Sequence, residues 1–219
     1  MSAVNVRFAF FDFDNTLSRG DSVVPFLLYA VRHGYAPPSQ LLRAVRGYLH
    51  QLRHPEQVSY SKSIAFSFIK GRRREEIDTL GRSFVREKLC PRFYHDGMSE
   101  LWQLKAAGYT IVVVTASAEA YMRLLPEFLP VDAVLSTPCE TADDVYTGAF
   151  GANCRGEEKV RRIEAYLQSG GMTVDADSRS YGDSPSDAPM LRLTEHPILV
   201  NPKRGLRSAM PGAEAVSWK

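Results

Sequence analysis

Cysteine is scarce in this sequence. The 219 residues contain three, Cys90, Cys139 and Cys154, an odd number, widely spaced and without a Cys-x-x-Cys pair. That usage argues against a zinc site and for reduced thiols in a cytoplasm, and none of the three is a good candidate nucleophile. Long hydrophobic runs are missing too: the longest clean one, residues 23–31, is interrupted by Pro25 and falls far short of the roughly 20 residues that span a bilayer. The first residues show neither a charged leader nor a cleavage pattern, so a soluble cytoplasmic protein is expected. Net charge is small, +2. The sequence has no internal repeat, no low-complexity tract and no recognisable nucleic-acid-binding motif, so nucleic acid is not an expected partner.

What is present fits a soluble globular enzyme. A hydrophobic fraction of 44% and a charged fraction of 24% are ordinary for that class, and the length allows one large domain or one domain with an insertion. The patterning changes along the chain. Residues 6–11 read as a buried strand. Residues 18–95 contain no convincing strand, and helices are predicted near 21–33, 38–53, 56–70 and 73–89. From about residue 96, helix and strand alternate: helices at 97–107, 118–128, 157–168 and 188–193, strands at 109–114, 131–136, 146–150, 178–182 and 197–200. This alternation predicts an α/β fold, a doubly wound parallel sheet formed by residues 1–17 and 96–219 and interrupted after its first strand by an all-helical module, residues 18–95. Charge divides in the same way. Residues 19–95 hold 14 Lys and Arg against 6 Asp and Glu, so the helical module is basic and the remainder acidic, an arrangement that draws an anionic substrate toward a carboxylate-rich crevice.

Four stretches carry chemistry. Asp12 and Asp14 follow the first strand, where side chains of alternate residues emerge into the ligand crevice of an open α/β sheet. Two carboxylates so close repel unless a cation joins them or one holds a proton, so the pair is expected to bind Mg²⁺, to divide into base and acid, or both. Thr115-Ala116-Ser117 places hydroxyls and backbone N–H groups at a strand's end and a helix's beginning, a setting that favours a phosphate oxygen. Lys159 lies in the first turn of a helix, where a cation opposes the dipole and gains nothing locally. Asp183 and Asp187 flank another strand end, where Gly182 permits close approach. Each alone has a plainer reading as a cap or a solvated side chain; their order makes them a constellation.

Asp12-Phe13-Asp14-Asn15-Thr16, Thr115, Lys159 and Gly182-Asp183-Ser184 with Asp187 resemble the four motifs of the haloacid dehalogenase superfamily. The helical insertion resembles the C1 cap of the subfamily that includes phosphoserine phosphatase. Gly156-Glu157-Glu158-Lys159-Val160 and Asn201-Pro202 resemble uncharacterised bacterial members and phosphatidylglycerophosphatase C. The resemblance implies a magnesium-dependent phosphomonoesterase working through an aspartyl-phosphate. Asp12 would be the nucleophile and Asp14 the general acid and base. Thr115 and Lys159 would hold phosphoryl oxygens, while Asp12, the Asp14 carbonyl and Asp183 would bind Mg²⁺ with Asp187 beside them. The physics agrees with those roles: a carboxylate nucleophile splits a very slow hydrolysis into two displacements, and a lysine with one divalent cation offsets the repulsion between carboxylate and phosphate.

The organic part of the substrate is less legible. Asp21 stands nine residues after Asp12, where phosphoserine phosphatases carry a glutamate that contacts the substrate amine; the cap arginine of those enzymes has no evident counterpart in residues 60–66. A small soluble phosphomonoester, an amino-alcohol or sugar phosphate, is expected. The alternatives are a phosphatidylglycerophosphate phosphatase at the membrane surface and a catalytically silent phosphate- or partner-binding module. The membrane alternative turns on residues 41–53. Apolar residues at 41, 42, 45, 49 and 52 form one helical stripe, with Arg43, Arg46, His50 and Arg53 on the remainder, and the stripe is expected to pack on neighbouring helices of the module.

Overall fold

A computed structural model describes residues 3–219. The opening apolar run forms two strands, not one: β1 (Val4–Val6) and β2 (Phe8–Phe11), which pair with different sheets. The helical module follows as α1 (Val23–Arg32), α2 (Ser39–Arg53), α3 (Val58–Ala65) and α4 (Arg74–Phe84). Then come α5 (His95–Ala106), β3 (Thr110–Ala118), α6 (Glu119–Met122), β4 (Ala133–Thr137), β5 (Cys139–Ala142) and β6 (Val145–Phe150). The chain closes with α7 (Glu157–Gly170), β7 (Met172–Val174), β8 (Arg179–Gly182), α8 (Ala188–Leu191), β9 (His196–Val200), α9 (Leu206–Ala209) and β10 (Glu214–Val216).

The central sheet has six strands in the order β10-β9-β8-β2-β3-β4, and every pairing in it is parallel. Both faces are covered, which is why the strands read as continuous apolar runs. Phe8, Phe10, Val112 and Val114 enter one core cluster, and Ala9, Phe11, Ile111 and Val113 the other. The strand order reverses at β2, which has β3 on one side and β8 on the other. An α/β sheet opens its ligand crevice at that point.

Other elements also depart from the sequence-based expectations. Residues 118–128 do not form one helix: α6 is four residues long and is followed by a separate 3₁₀ turn, Leu125–Glu127. β9 is not the last core strand, because β10 pairs outside it. The strand predicted at 146–150 is one arm of a β5–β6 hairpin whose turn residues, Asp143 and Asp144, both have positive φ (49° and 61°), as a tight hairpin requires. Most consequential is α2. Its apolar stripe does not pack: Leu42, Val45, Leu49 and Leu52 are exposed and Leu41 is half-buried, while Gln40 and Gly47 form the buried face. Periodicity identifies an apolar face without fixing which way the helix is turned.

The helical module is anchored on the sheet domain by aromatic packing and by the hairpin. The Phe26 ring lies 6.0 Å from Phe66, 5.0 Å from Phe84 and 4.6 Å from Tyr121 of α6. Gly71 N–H donates to the Tyr146 carbonyl and Tyr146 N–H to that of Arg72. Phe66 meets Phe150 at 5.3 Å.

Candidate active site

Asp12 follows β2 directly, and its N–H donates to the Tyr181 carbonyl of β8 (2.9 Å). The chain then turns tightly, with the N–H groups of Thr16, Leu17 and Ser18 all directed at the Phe13 carbonyl and Asn15 at a φ of 69°. This turn returns the Thr16 hydroxyl to Asp12 Oδ2 (3.0 Å). From the first turn of α7 Lys159 reaches inward, 1% exposed, and donates to Asp12 Oδ1 (2.6 Å) and Asp187 Oδ1 (2.7 Å). A lysine misplaced for its own helix is therefore placed for the crevice.

β8 ends at Gly182, where an added Cβ would lie 2.6 Å from Asp187 Cβ, so the residue must be glycine for Asp187 to close on the strand. Ser184 and Asp187 form a reciprocal cap: the Ser184 N–H (3.0 Å) and hydroxyl (2.7 Å) both donate to Asp187 Oδ2. Asp12, Asp183 and Asp187 each offer a carboxylate oxygen within 4.8 Å of the others. Three oxygen donors suit a hard cation of the magnesium type. Asp183 Oδ2 is buried and paired with Lys203 Nζ, 2.7 Å away.

The carboxylate of Asp14 takes no part in this cluster. Its Oδ2 accepts from Ser117 Oγ (2.5 Å), Ser117 Oγ lies 2.9 Å from Ser22 Oγ, and Ser22 Oγ lies 2.9 Å from Tyr121 OH. Its Oδ1 is buried without a hydrogen-bond partner among the described residues. β3 runs on through Thr115, Ala116 and Ser117, with an irregular register between Val114 and Ala118, so no helix begins at Thr115. Thr115 Oγ1 accepts from the Ser117 N–H (3.0 Å), and the Ala116 carbonyl accepts from Lys62 and from Thr137 Oγ1 (2.7 Å). Asp21 is exposed and caps α1, its Oδ1 accepting from the N–H groups of Val23 (2.9 Å) and Val24 (3.1 Å).

Burial raises both opening carboxylates. Burial pushes Asp12 up to about 7 against the pull of Lys159. Burial likewise pushes Asp14 up to about 6, moderated by the Ser117 hydrogen bond. Burial alone would raise Asp187 and lower Lys159, but their mutual attraction, with Asp12 contributing, holds Asp187 below and Lys159 above its ordinary range. Asp183 is raised by burial, with Lys203 opposing. Both opening carboxyls are thus held near neutrality, where a group can carry or release a proton.

Two cations escaped the sequence reading. Lys62, on α3, donates to the Ala116 carbonyl, Thr137 Oγ1 (3.0 Å) and Asn153 Oδ1 (2.6 Å), and burial lowers it to about 8. Its signal in sequence was nil, a lysine on a basic helix. Lys203 follows the Asn201-Pro202 pair, and its N–H also donates to the Asp183 carbonyl (2.7 Å).

Residues 9–192 match the family model described as haloacid dehalogenase-like hydrolase. A relative from Mycobacterium tuberculosis named phosphoserine phosphatase is 31% identical over 211 residues, 91% of this chain; the chain spans 66% of that relative's length. Among solved structures, a Bordetella pertussis protein of unknown function superposes with a TM-score of 0.85 at 24% identity, over 97% of this chain and 99% of its own. A phosphoserine phosphatase holding a phospho-aspartyl intermediate analogue superposes at 0.63 and 17% identity, over 96% and 92%. At these identities the two structures bear on fold.

Proposed function

The chain belongs to the haloacid dehalogenase-like hydrolase family, and from that premise we propose that it is a magnesium-dependent phosphatase that cleaves phosphomonoesters through an aspartyl-phosphate. The observation that carries this reading is Lys159, buried between Asp12 and Asp187 with Asp183 completing an oxygen cluster. Asp12, Asp183 and Asp187 would hold Mg²⁺, which when bound supplies positive charge to offset an incoming phosphoryl group.

The chain's own residues then have distinct tasks. An Asp12 oxygen attacks phosphorus in line, the phosphorus–oxygen ester bond breaks, and Asp14 gives its proton to the departing alkoxide. Asp14, now ionised, takes a proton from the water that attacks the aspartyl-phosphate and releases inorganic phosphate, which restores both carboxyls. Lys159 balances the charge of Asp12 and of the transferred group, and Thr115 is assigned a phosphoryl oxygen. Ser117 acts on Asp14: its hydroxyl fixes the Oδ2 side and leaves Oδ1 without a hydrogen-bond partner among the described residues.

The helical module is assigned as a cap, because Lys62 reaches from α3 to the end of β3 and to Asn153. A small soluble phosphomonoester in the cytoplasm is the proposed substrate; a phosphatidylglycerophosphate at the membrane surface is the second reading, favoured by the exposed stripe of α2. Asp21's commitment to capping α1 gives no support to amine recognition. A silent binding module is disfavoured by the cost of keeping these charges buried.

The test is phosphate release from amino-alcohol, sugar and lipid phosphomonoesters with and without Mg²⁺. Asp12→Asn is expected to abolish both release and covalent phosphate incorporation while the unfolding transition persists, since an amide cannot replace the nucleophile. Incorporation that survives Asp12→Asn would remove Asp12 from that role, and Mg²⁺ binding without turnover of any substrate would favour the silent module.

A further inference from the structure

Helix α2 is built inside out. The face it turns to α3 consists of small and polar groups. An added Cβ on Gly47 would lie 2.6 Å from the Ser61 carbonyl oxygen. Gln40 Nε2 donates to the carbonyls of Ile64 (3.2 Å) and Ala65 (2.5 Å), and His50 Nδ1 is 3.1 Å from Ser61 Oγ. The opposite face carries Leu42 (74% exposed), Val45 (55%), Tyr48 (60%), Leu49 (47%) and Leu52 (62%). At about 100° per residue these five side chains cover roughly 120° of the helix circumference. That is a stripe of the width a soluble helix normally buries.

Arg46 and Arg53 border the stripe along one edge, whereas Arg43 lies on the side turned to α3. α2 holds no Asp or Glu. No ion pair among the described residues involves any of these three arginines, although Arg43 donates to Ser67 Oγ (3.3 Å). The face is therefore apolar along its centre and cationic along its margin.

We propose that α2 docks the protein onto an anionic lipid surface, with the stripe at the boundary between headgroups and acyl chains and the arginines against lipid phosphates. Charge decides the occupant. A second copy would bring two acid-free, arginine-edged faces together in a self-complementary contact and set like charges opposite one another. An anionic bilayer instead supplies phosphates to Arg46 and Arg53 and apolar depth to each leucine. The stripe also ends where such docking is useful. Gln51 and Leu52 line a cavity of about 520 Å³ together with Asn153, Gly156 and Ser186. Gly156 opens the helix that carries Lys159, and Ser186 precedes Asp187. Docking sets the mouth of that cavity against the bilayer, whatever reaction the crevice performs.

The experiment is co-sedimentation of the full chain with vesicles of phosphatidylcholine alone or with roughly 30% phosphatidylglycerol, at low and high salt. Binding is expected on the anionic vesicles and not on the neutral ones, and is expected to weaken with salt. The double variants Arg46→Glu/Arg53→Glu and Leu42→Ser/Leu49→Ser should each lower the bound fraction at least tenfold, with far-ultraviolet circular dichroism and unfolding midpoint unchanged. The proposal is overturned if anionic vesicles bind no better than neutral ones, or if the two well-folded variants bind like the parent. Concentration-dependent doubling of mass that Leu42→Ser/Leu49→Ser abolishes, without vesicle binding, would replace the bilayer with a second copy.

Discussion

The crevice and the outer face of α2 break the usual partition of side chains in opposite directions. In the crevice, charge is inside: Asp12, Lys159, Asp183 and Asp187 are at most 7% exposed. On α2, apolar surface is outside. Charged side chains are almost never fully buried unless paired, and contiguous exposed apolar patches mark interaction sites. Neither region is arranged for stability. The crevice keeps its charges by pairing each with a precise partner, whereas α2 leaves its apolar side chains without one. A region that answers its own departure internally is poised for chemistry, and a region that does not is completed by something outside the molecule.

The largest effect that separates the two regions is the loss of a cation from each. Lys159→Ala leaves Asp12 and Asp187 facing each other in a buried site, and breaking such a pair costs about 3–5 kcal/mol of stability. Loss of a phosphoryl-facing cation costs about 10²–10³-fold in rate. Asp12 stands near 7 even with the lysine in place, so acid lets it protonate, and the stability loss is expected to be smaller at about pH 5 than at about pH 8. Arg46→Ala makes the same change of charge on α2 and should shift stability by no more than about 0.5 kcal/mol. Urea unfolding of both variants at the two pH values measures the contrast. A Lys159→Ala protein as stable as the parent at pH 8 would mean that the crevice charges are not held as a buried set.

Asp14→Asn separates function from stability within the crevice. Burial raises Asp14 from 3.8 to about 6, so its contribution to stability is fully present below 3.8 and is lost as pH rises through about 6. Asparagine cannot ionise. The variant should therefore be more stable than the parent at pH 8, by about 2–3 kcal/mol, and gain nothing at pH 4. Activity should move the other way. Turnover of alkyl phosphates, whose leaving group needs the proton, should fall far more than that of aryl phosphates. Equal losses for both substrates would count against Asp14 as the acid.

The crevice was legible in the sequence because its residues sit at strand ends, where one-dimensional order becomes three-dimensional convergence. Asp12 and Asp183 follow β2 and β8, Thr115 lies in the last part of β3, and these three adjacent parallel strands deliver their ends to one edge of the sheet. The sheet itself was read from its apolar runs. Lys62 was not legible, because its partners are a carbonyl, a threonine and an asparagine on three other segments, and nothing about residue 62 names them. The β5–β6 hairpin is half legible: the strand at 146–150 is marked by its pattern, but β5 lacks an apolar alternation strong enough to be seen. The stripe of α2 is legible in the sequence and its direction is not, because periodicity is the same whether a face packs or is left open.

The smallest and sharpest contrast lies within that one helix. In an ordinary amphipathic helix the large apolar residues are the costly ones to remove, at about 2–5 kcal/mol for a buried leucine, and a glycine replaced by alanine gains helix propensity. α2 should reverse both signs. Gly47→Ala puts a methyl group 2.6 Å from the Ser61 backbone carbonyl, a contact no flexible side chain can relieve, so a net loss of about 1–2 kcal/mol is expected after the gain in propensity. Leu42→Ser removes a side chain that is 74% exposed and should change stability by no more than about 0.5 kcal/mol. Thermal and urea unfolding of the two single variants decide it. A serine at position 42 that costs 2 kcal/mol or more, with alanine at 47 neutral, would mean that the stripe packs inward after all, and the membrane-docking proposal would lose its foundation before any vesicle is added.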